Sequence, residues 1–151
     1  MMNPMHLRWS AILVMVAGLV LGGSASAVTP EESAAIKAAE NWLAPVDAGR
    51  GDASWAMAAA PFKATVTEQQ WTTGLRDLRK PYGNVQSRKA QRLAHIGEKP
   101  KDVVATPGGP TNEQVAIMFD TTFAGGKVAN EEVTVLRERD GVWRVNGYFI
   151  R

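Results

Sequence analysis

Few residues in this sequence have the chemistry of a reactive site, and the most distinctive is an acid among apolar neighbours. In "EQVAIMFDTTF" Asp120 interrupts an alternating apolar stretch, on the parity shared by Ala116 and Met118. A carboxylate in an apolar setting can take a proton when its pKa is displaced, provided that a donor holds the negative charge that develops on the substrate. Tyr148, in the closing stretch "GVWRVNGYFIR", is a donor of the right type, so Asp120 and Tyr148 form a candidate pair for proton transfer. The commoner meaning of such a residue is a strand Asp that faces water. Other chemistries lack their residues. There is no Cys, and His95 is the one His beyond residue 27, which leaves no His-paired nucleophile and no multi-His or Cys-ligated metal site. No metal and no cofactor are therefore expected.

The second constellation is basic. Arg76, Arg79, Lys80, Arg88, Lys89 and Arg92 crowd one region, with Asp77 the acid among them. Brought together by a turn, such side chains could hold an anionic glycan, a lipid headgroup or a carboxylate, although a charge run is ordinarily a solvated face. Arg79 and Arg88 are the expected exceptions, because an Arg near a helix end can bind backbone carbonyls or a buried carboxylate such as Asp120. Arg79, Arg88 and Tyr148 are accordingly the candidate ligand-binding residues.

These residues need elements to position them. Thr29, Pro30 and Glu32 form a capping box, and Ala35, Ala39, Trp42, Leu43 and Val46 follow at helical spacing, with Pro45 expected to kink or fray the last turn and Gly49 to end it. A short second helix is expected with Asp52 as its N-cap and Trp55, Ala59 and Phe62 on one stripe until Pro61 interferes. Thr67 and Gln70 open a third, which buries Trp71, Leu75 and Leu78 and stops at Pro81 and Gly83.

After Gly83 the period changes. "NVQSRKAQRLAHI" reads as a strand polar on both faces, edge or half-exposed rather than central, residues 97–112 as loop, and "EQVAIMFDTTF" as a strand with Val115, Ile117, Phe119 and Phe123 on one face. "EEVTVLRE" pairs with the closing strand through a hairpin at Asp140 and Gly141. In that last strand either Trp143, Val145 and Phe149 or Tyr148 and Ile150 face the helices, and Gly147 suggests a bulge or a sharp bend. Helices first and antiparallel strands after give an α+β fold: N-terminal helices packed on a curved antiparallel sheet of about four strands.

The other end is expected to be removed. Arg8 precedes an apolar run from Ala11 to Leu21, too short to cross a bilayer, and Ala25, Ser26 and Ala27 offer a small-x-small cleavage site. Residues 1–27 read as a signal peptide and 28–151 as a single domain starting at Val28, periplasmic or secreted, with no stable membrane anchor after cleavage. With 17 Lys and Arg against 15 Asp and Glu there is no global field, and nucleic acid is not an expected partner.

The segments "AAENWLAPVDAG", "ASWAMAAAPFKATVTEQQW", "LRDLRKPYGNVQSRK" and "DGVWRVNGYFI" resemble the bacterial family called domain of unknown function 4019. The layout resembles the nuclear-transport-factor-2-like, cystatin-like α+β cone. The resemblance implies an exported envelope protein with no established reaction, and its matching residues include Trp42, Trp55, Phe62, Trp71, Arg79, Gly83, Arg88, Gly147 and Tyr148. It also implies that steroid-isomerase-like relatives use a carboxylate with a Tyr hydroxyl, the parts that Asp120 and Tyr148 would take. The function expected is a non-catalytic module that binds a small molecule or an envelope protein. The alternatives are a cone-pocket enzyme using the Asp/Tyr pair, or a structural module that forms a homodimer through its sheet.

Overall fold

The structure, a computed structural model, describes residues 27–96 and 113–151; the expected signal peptide, but for its last residue, and the expected loop over 97–112 lie outside the described residues. Among the described residues four α-helices, α1 (Pro30–Asp47), α2 (Gly51–Met57), α3 (Ala60–Thr65) and α4 (Glu68–Arg79), precede four strands, β1 (Val85–Ile96), β2 (Gln114–Phe123), β3 (Val128–Arg137) and β4 (Trp143–Ile150). The strands form one sheet in the order β1-β2-β3-β4, each neighbour antiparallel. The α+β class expected from the sequence is the one observed.

Both predicted capping boxes form. Thr29 accepts from the Glu32 N–H while Glu32 accepts from the Thr29 N–H, and Thr67 and Gln70 do the same for α4. The helix α1 continues through Pro45, whose ring is buried, and ends on Asp47, so the expected fraying of its last turn does not occur. Two expectations for the next segment are corrected. Instead of one helix there are two, because a helix running on to Pro61 would drive its ring into the Met57 carbonyl. The chain breaks at Ala58 and Ala59, both extended, and restarts with Pro61 in the first turn of α3, where its missing N–H costs nothing. The freed Ala59 N–H donates to the Val145 carbonyl at 2.8 Å, which ties the helical layer to β4. Asp52 is not the N-cap either. That position is Arg50, and Asp52 lies in the first turn of α2.

The core lies between α1, α4 and one face of the sheet. From α1 come Ala35, Ala39, Trp42, Leu43 and Val46, and from the sheet Val115, Ile117, Phe119, Val133, Val135, Trp143, Val145 and Tyr148. The face of β2 expected to be buried is the buried one. In β4 both alternatives are half right: Trp143 and Val145 point inward, the ladder slips between Thr134 and Val135, and the slip brings Tyr148 rather than Phe149 to the same side. The bulge lies next to Gly147, where the sequence suggested one. In β1 two further irregularities, at Val85/Ser87 and Ala90/Arg92, turn Arg88, Ala90 and Leu93 toward the core, so β1 is not polar on both faces.

Candidate functional site

Two helices, α1 and α4, and all four strands deliver charged or hydroxyl side chains to one point beneath the helices. The inner face of β3 runs Ala129, Glu131, Val133, Val135, which places a carboxylate in the apolar phase, and Glu131 is 0 % exposed. An isolated ion there would be prohibitively costly. Its four acceptor sites are filled instead: Oε1 accepts from Arg79 Nη1 at 2.8 Å and from the Tyr148 hydroxyl at 2.6 Å, and Oε2 from Arg88 Nε at 2.6 Å and from the Thr121 hydroxyl at 2.5 Å. Arg88 is brought opposite Thr121 by the β1 irregularities, and Tyr148 is turned inward by the β4 bulge.

Asp47 closes the network from α1. A carboxylate at a helix C-terminus meets the negative end of the dipole and is disfavoured there unless cations offset it. Arg88 does so bidentately, through Nη1 at 2.7 Å and Nη2 at 2.9 Å, and Arg79 adds Nη2 at 2.8 Å. Two guanidinium groups therefore face two carboxylates, and the cluster is formally neutral. Arg79 also lies over the Phe123 ring at 5.0 Å, and the Tyr148 ring packs against Trp42 and Trp71 at 5.4 and 6.3 Å. The indole N–H groups of Trp42 and Trp71 both end on Ser54, on its carbonyl and hydroxyl respectively.

Protonation states follow from this geometry. Burial alone would push the Glu131 carboxyl up, but the bonds from Arg88, Thr121 and Tyr148 hold it below its ordinary value. Burial, then the Glu131 charge, pushes the Tyr148 phenol far up, and the two carboxylates outweigh burial in raising Arg88. Glu131 is thus fixed as an anion and Tyr148 as a neutral donor.

The candidates read from the sequence fare differently. Arg79, Arg88 and Tyr148 meet in this cluster, and the two Arg do bind buried carboxylates. The carboxylates are Glu131 and Asp47, however, not Asp120. Asp120 lies exposed on the outer face of β2, opposite Lys89 and Asn130 in the ladder, with Met118 and Ala116 on the same parity. Asp120 and Tyr148 therefore lie on opposite faces of the sheet and share no pocket. The parity that isolates Asp120 from the apolar set is the one that faces away from the helices. The basic group is split three ways: Arg79 and Arg88 are in the network, Arg76 and Lys80 line a cleft beside α4, and Lys89 and Arg92 are exposed on β1. His95 is an exposed strand residue within 3.3 Å of Glu32. Sequence reasoning missed Asp47, Thr121 and Glu131. For Glu131 the signal was present, since it stands two residues before Val133 on the phase of the buried valines.

Among the described residues no group of three or more His, Cys, Asp or Glu could hold a metal ion, and no helix is long and apolar enough to cross a membrane. The fold and site thus define a class: an α+β protein with helices on one face of a four-stranded sheet and a neutral ion network, centred on the buried Glu131, between the layers. Within that class the chain belongs to the family described as Protein of unknown function (DUF4019), whose model matches residues 38–148 and so spans all six network residues from Asp47 to Tyr148. No curated protein matches the chain.

Proposed function

We propose that this protein acts outside the cytoplasm, after removal of residues 1–27, as a non-catalytic binding module of the cell envelope. The observation that carries this reading is the saturation of Glu131: with four donors on one carboxylate and both Arg neutralised, the buried polar groups are spent on one another. A proton-transfer site needs a base with an unfilled acceptor facing a substrate. Glu131 has none, Tyr148 already donates to it, and Asp47, which keeps one acceptor, is held by three bonds from Arg79 and Arg88. Arg79, Arg88 and Tyr148 then act as the frame that holds α1, α4 and the sheet in place, and recognition falls to the surface around that frame. The resemblance to the nuclear-transport-factor-2-like cone accords with this, since that architecture hosts binding modules and enzymes alike.

The test is an NMR screen of the purified protein against small anionic and neutral compounds, with each compound assayed for conversion after incubation. Saturable shifts with the compound unchanged support the reading. Turnover that falls when Tyr148 is replaced by Phe overturns it. Intact-mass measurement of the exported protein should give a chain beginning at Val28, and a retained Met1 would contradict export by cleavage.

A second reading, a homodimer through the sheet, is favoured by one observation: Phe149 is 54 % exposed on the outer face, with Met118 on the same face two strands away. Sedimentation as a monomer over a wide concentration range would remove it.

A further inference from the structure

We propose that the cleft between the C-terminal end of α1 and the outer side of α4 binds a small hydroxylated organic acid of the sugar-acid type, its carboxylate on Arg76 and Lys80 and a hydroxyl on Asp47. This inference rests on the reading of the protein as a binding module and names the ligand class. The cleft has a volume of about 370 Å³, within the range of roughly 300–1,000 Å³ usual for small-molecule sites.

Helical geometry divides the work of α4. Trp71, Leu75 and Leu78 run inward, and Arg79 follows Leu75 by one turn into the buried network. Thr72, Arg76 and Lys80, at i, i+4 and i+8, form the adjoining stripe and line the cleft with a hydroxyl, a guanidinium and an ammonium. Asp47, from the end of α1, and Asn84 line the same cleft.

The charge balance gives the cleft its sign. Arg79 and Asp47 line it too, but their charges are already balanced within the neutral network. Arg76 is 73 % exposed and has only a 3.4 Å contact with Asp77, itself 66 % exposed, and Lys80 has no ion-pair partner among the described residues. The cleft therefore presents uncommitted positive charge at its rim. The dipole of α4 favours cations at this end but does not call for the polar wall facing them.

The floor supplies the second half of the recognition. Asp47 is 26 % exposed, whereas Glu131 is sealed. Its carboxylate accepts three bonds, two on Oδ1 and one on Oδ2, out of the four or so that a carboxylate can take. The acceptor left on Oδ2 suits a hydroxyl donor and repels a bare anion. A molecule with a carboxylate at one end and hydroxyls at the other satisfies both the rim and the floor.

The experiment is an NMR titration of the purified protein with D-glucuronate, D-glucose and inorganic phosphate at one ionic strength, repeated on the double variant Arg76→Gln, Lys80→Gln. Both side chains are exposed and outside the buried network, so the variant keeps its fold, and its spectrum verifies that. Expected are saturable shifts of the amides of Thr72, Arg76, Lys80 and Asn84 with glucuronate, at an affinity about tenfold or more above glucose and phosphate and lost by a similar factor in the variant. The proposal is overturned by equal binding of glucose, by phosphate binding as tightly as glucuronate, by affinity unchanged in the variant, or by no saturation. Saturable binding of another compound away from the cleft would sink this site while leaving the binding-module reading intact, and turnover would sink that reading itself.

Discussion

Replacing the sealed Glu131 by Gln removes one charge from a neutral set and leaves Arg79 and Arg88 with Asp47 alone. It also puts an amide N–H₂ where Oε1 or Oε2 now accepts two bonds, so a donor faces a donor from Arg88 and Thr121 or from Arg79 and Tyr148. Breaking a buried pair by removing one partner costs about 3–5 kcal/mol, against a total stability of about 5–15 kcal/mol for a domain. Arg88→Met should be similarly costly, since it strands Glu131 and Asp47 with one cation. Together, however, Arg88→Met and Glu131→Leu leave Arg79 and Asp47 as a 2.8 Å pair and restore neutrality. The double variant should then lose less than the sum of Arg88→Met and Glu131→Leu measured singly, by at least about 1.5 kcal/mol, a coupling within the range seen for contacting residues. The assay is equilibrium urea unfolding followed by tryptophan fluorescence, because Trp42 and Trp71 pack on Tyr148 and report the state of the cluster. Losses that add to within about 0.5 kcal/mol would refute the account, as would a loss below about 1 kcal/mol for Glu131→Gln.

Stability should depend on pH from both sides of the cluster. Glu131 is held below its ordinary 4.5, so its contribution is present above about that pH and lost as pH falls through the lower folded value; urea midpoints in acid should decline for the native protein and less steeply for Glu131→Gln. Tyr148 is pushed above its ordinary 10, so its contribution is complete below about that pH and lost as pH rises through the folded value; spectrophotometric titration should show its phenol ionising only as the protein unfolds. Tyr148→Phe removes a donor to Glu131 and an acceptor from Arg79 while keeping the ring, and should cost about 1.5–3 kcal/mol by the same urea measurement. Gly51→Ala puts a Cβ 2.8 Å from the Thr72 Cα, where α2 and α4 are too close for any side chain, and should cost about 1–3 kcal/mol in midpoint with the sheet signature in circular dichroism retained.

What the sequence revealed and what it hid divide along one line. Capping boxes, helix stripes and the alternation of β2 depend on residues within a turn or two of one another, and those readings match the structure at Thr29, Thr67 and the set Val115, Ile117, Phe119 and Phe123. The network depends on long-range register. Arg79 and Glu131 are 52 residues apart, and Arg88 and Asp47 are 41 apart, so no local pattern pairs them. The irregularities in β1 and β4 compounded this, because each reverses the parity on which an alternation argument rests. Asp120 stood out as a candidate because its strand is apolar on both parities, although a strand Asp facing water is the commoner case and the one observed; Glu131 did not, because its neighbours Asn130 and Glu132 made that end of β3 look solvated.

That long-range pairing has a structural consequence of its own. β1 is an edge strand with few apolar residues on its inner face, where Arg88 stands beside Ala90 and Leu93, and hydrophobic alternation specifies the register of such a strand only weakly. If β1 slipped by one residue against β2, Arg88 would turn to the outer face, and Glu131 and Asp47 would be left with Arg79 alone. That slipped sheet carries an uncompensated buried charge, at a cost of about 3–5 kcal/mol. The same holds for α1 and α4, since a rotation that withdraws Asp47 or Arg79 unbalances the same cluster. Burying two ion pairs adds little net stability over a well-packed apolar core. What the pairs do supply is a condition that one arrangement of α1, α4 and the sheet satisfies, and through Asp47 and Arg79 that arrangement sets the shape of the cleft beside α4.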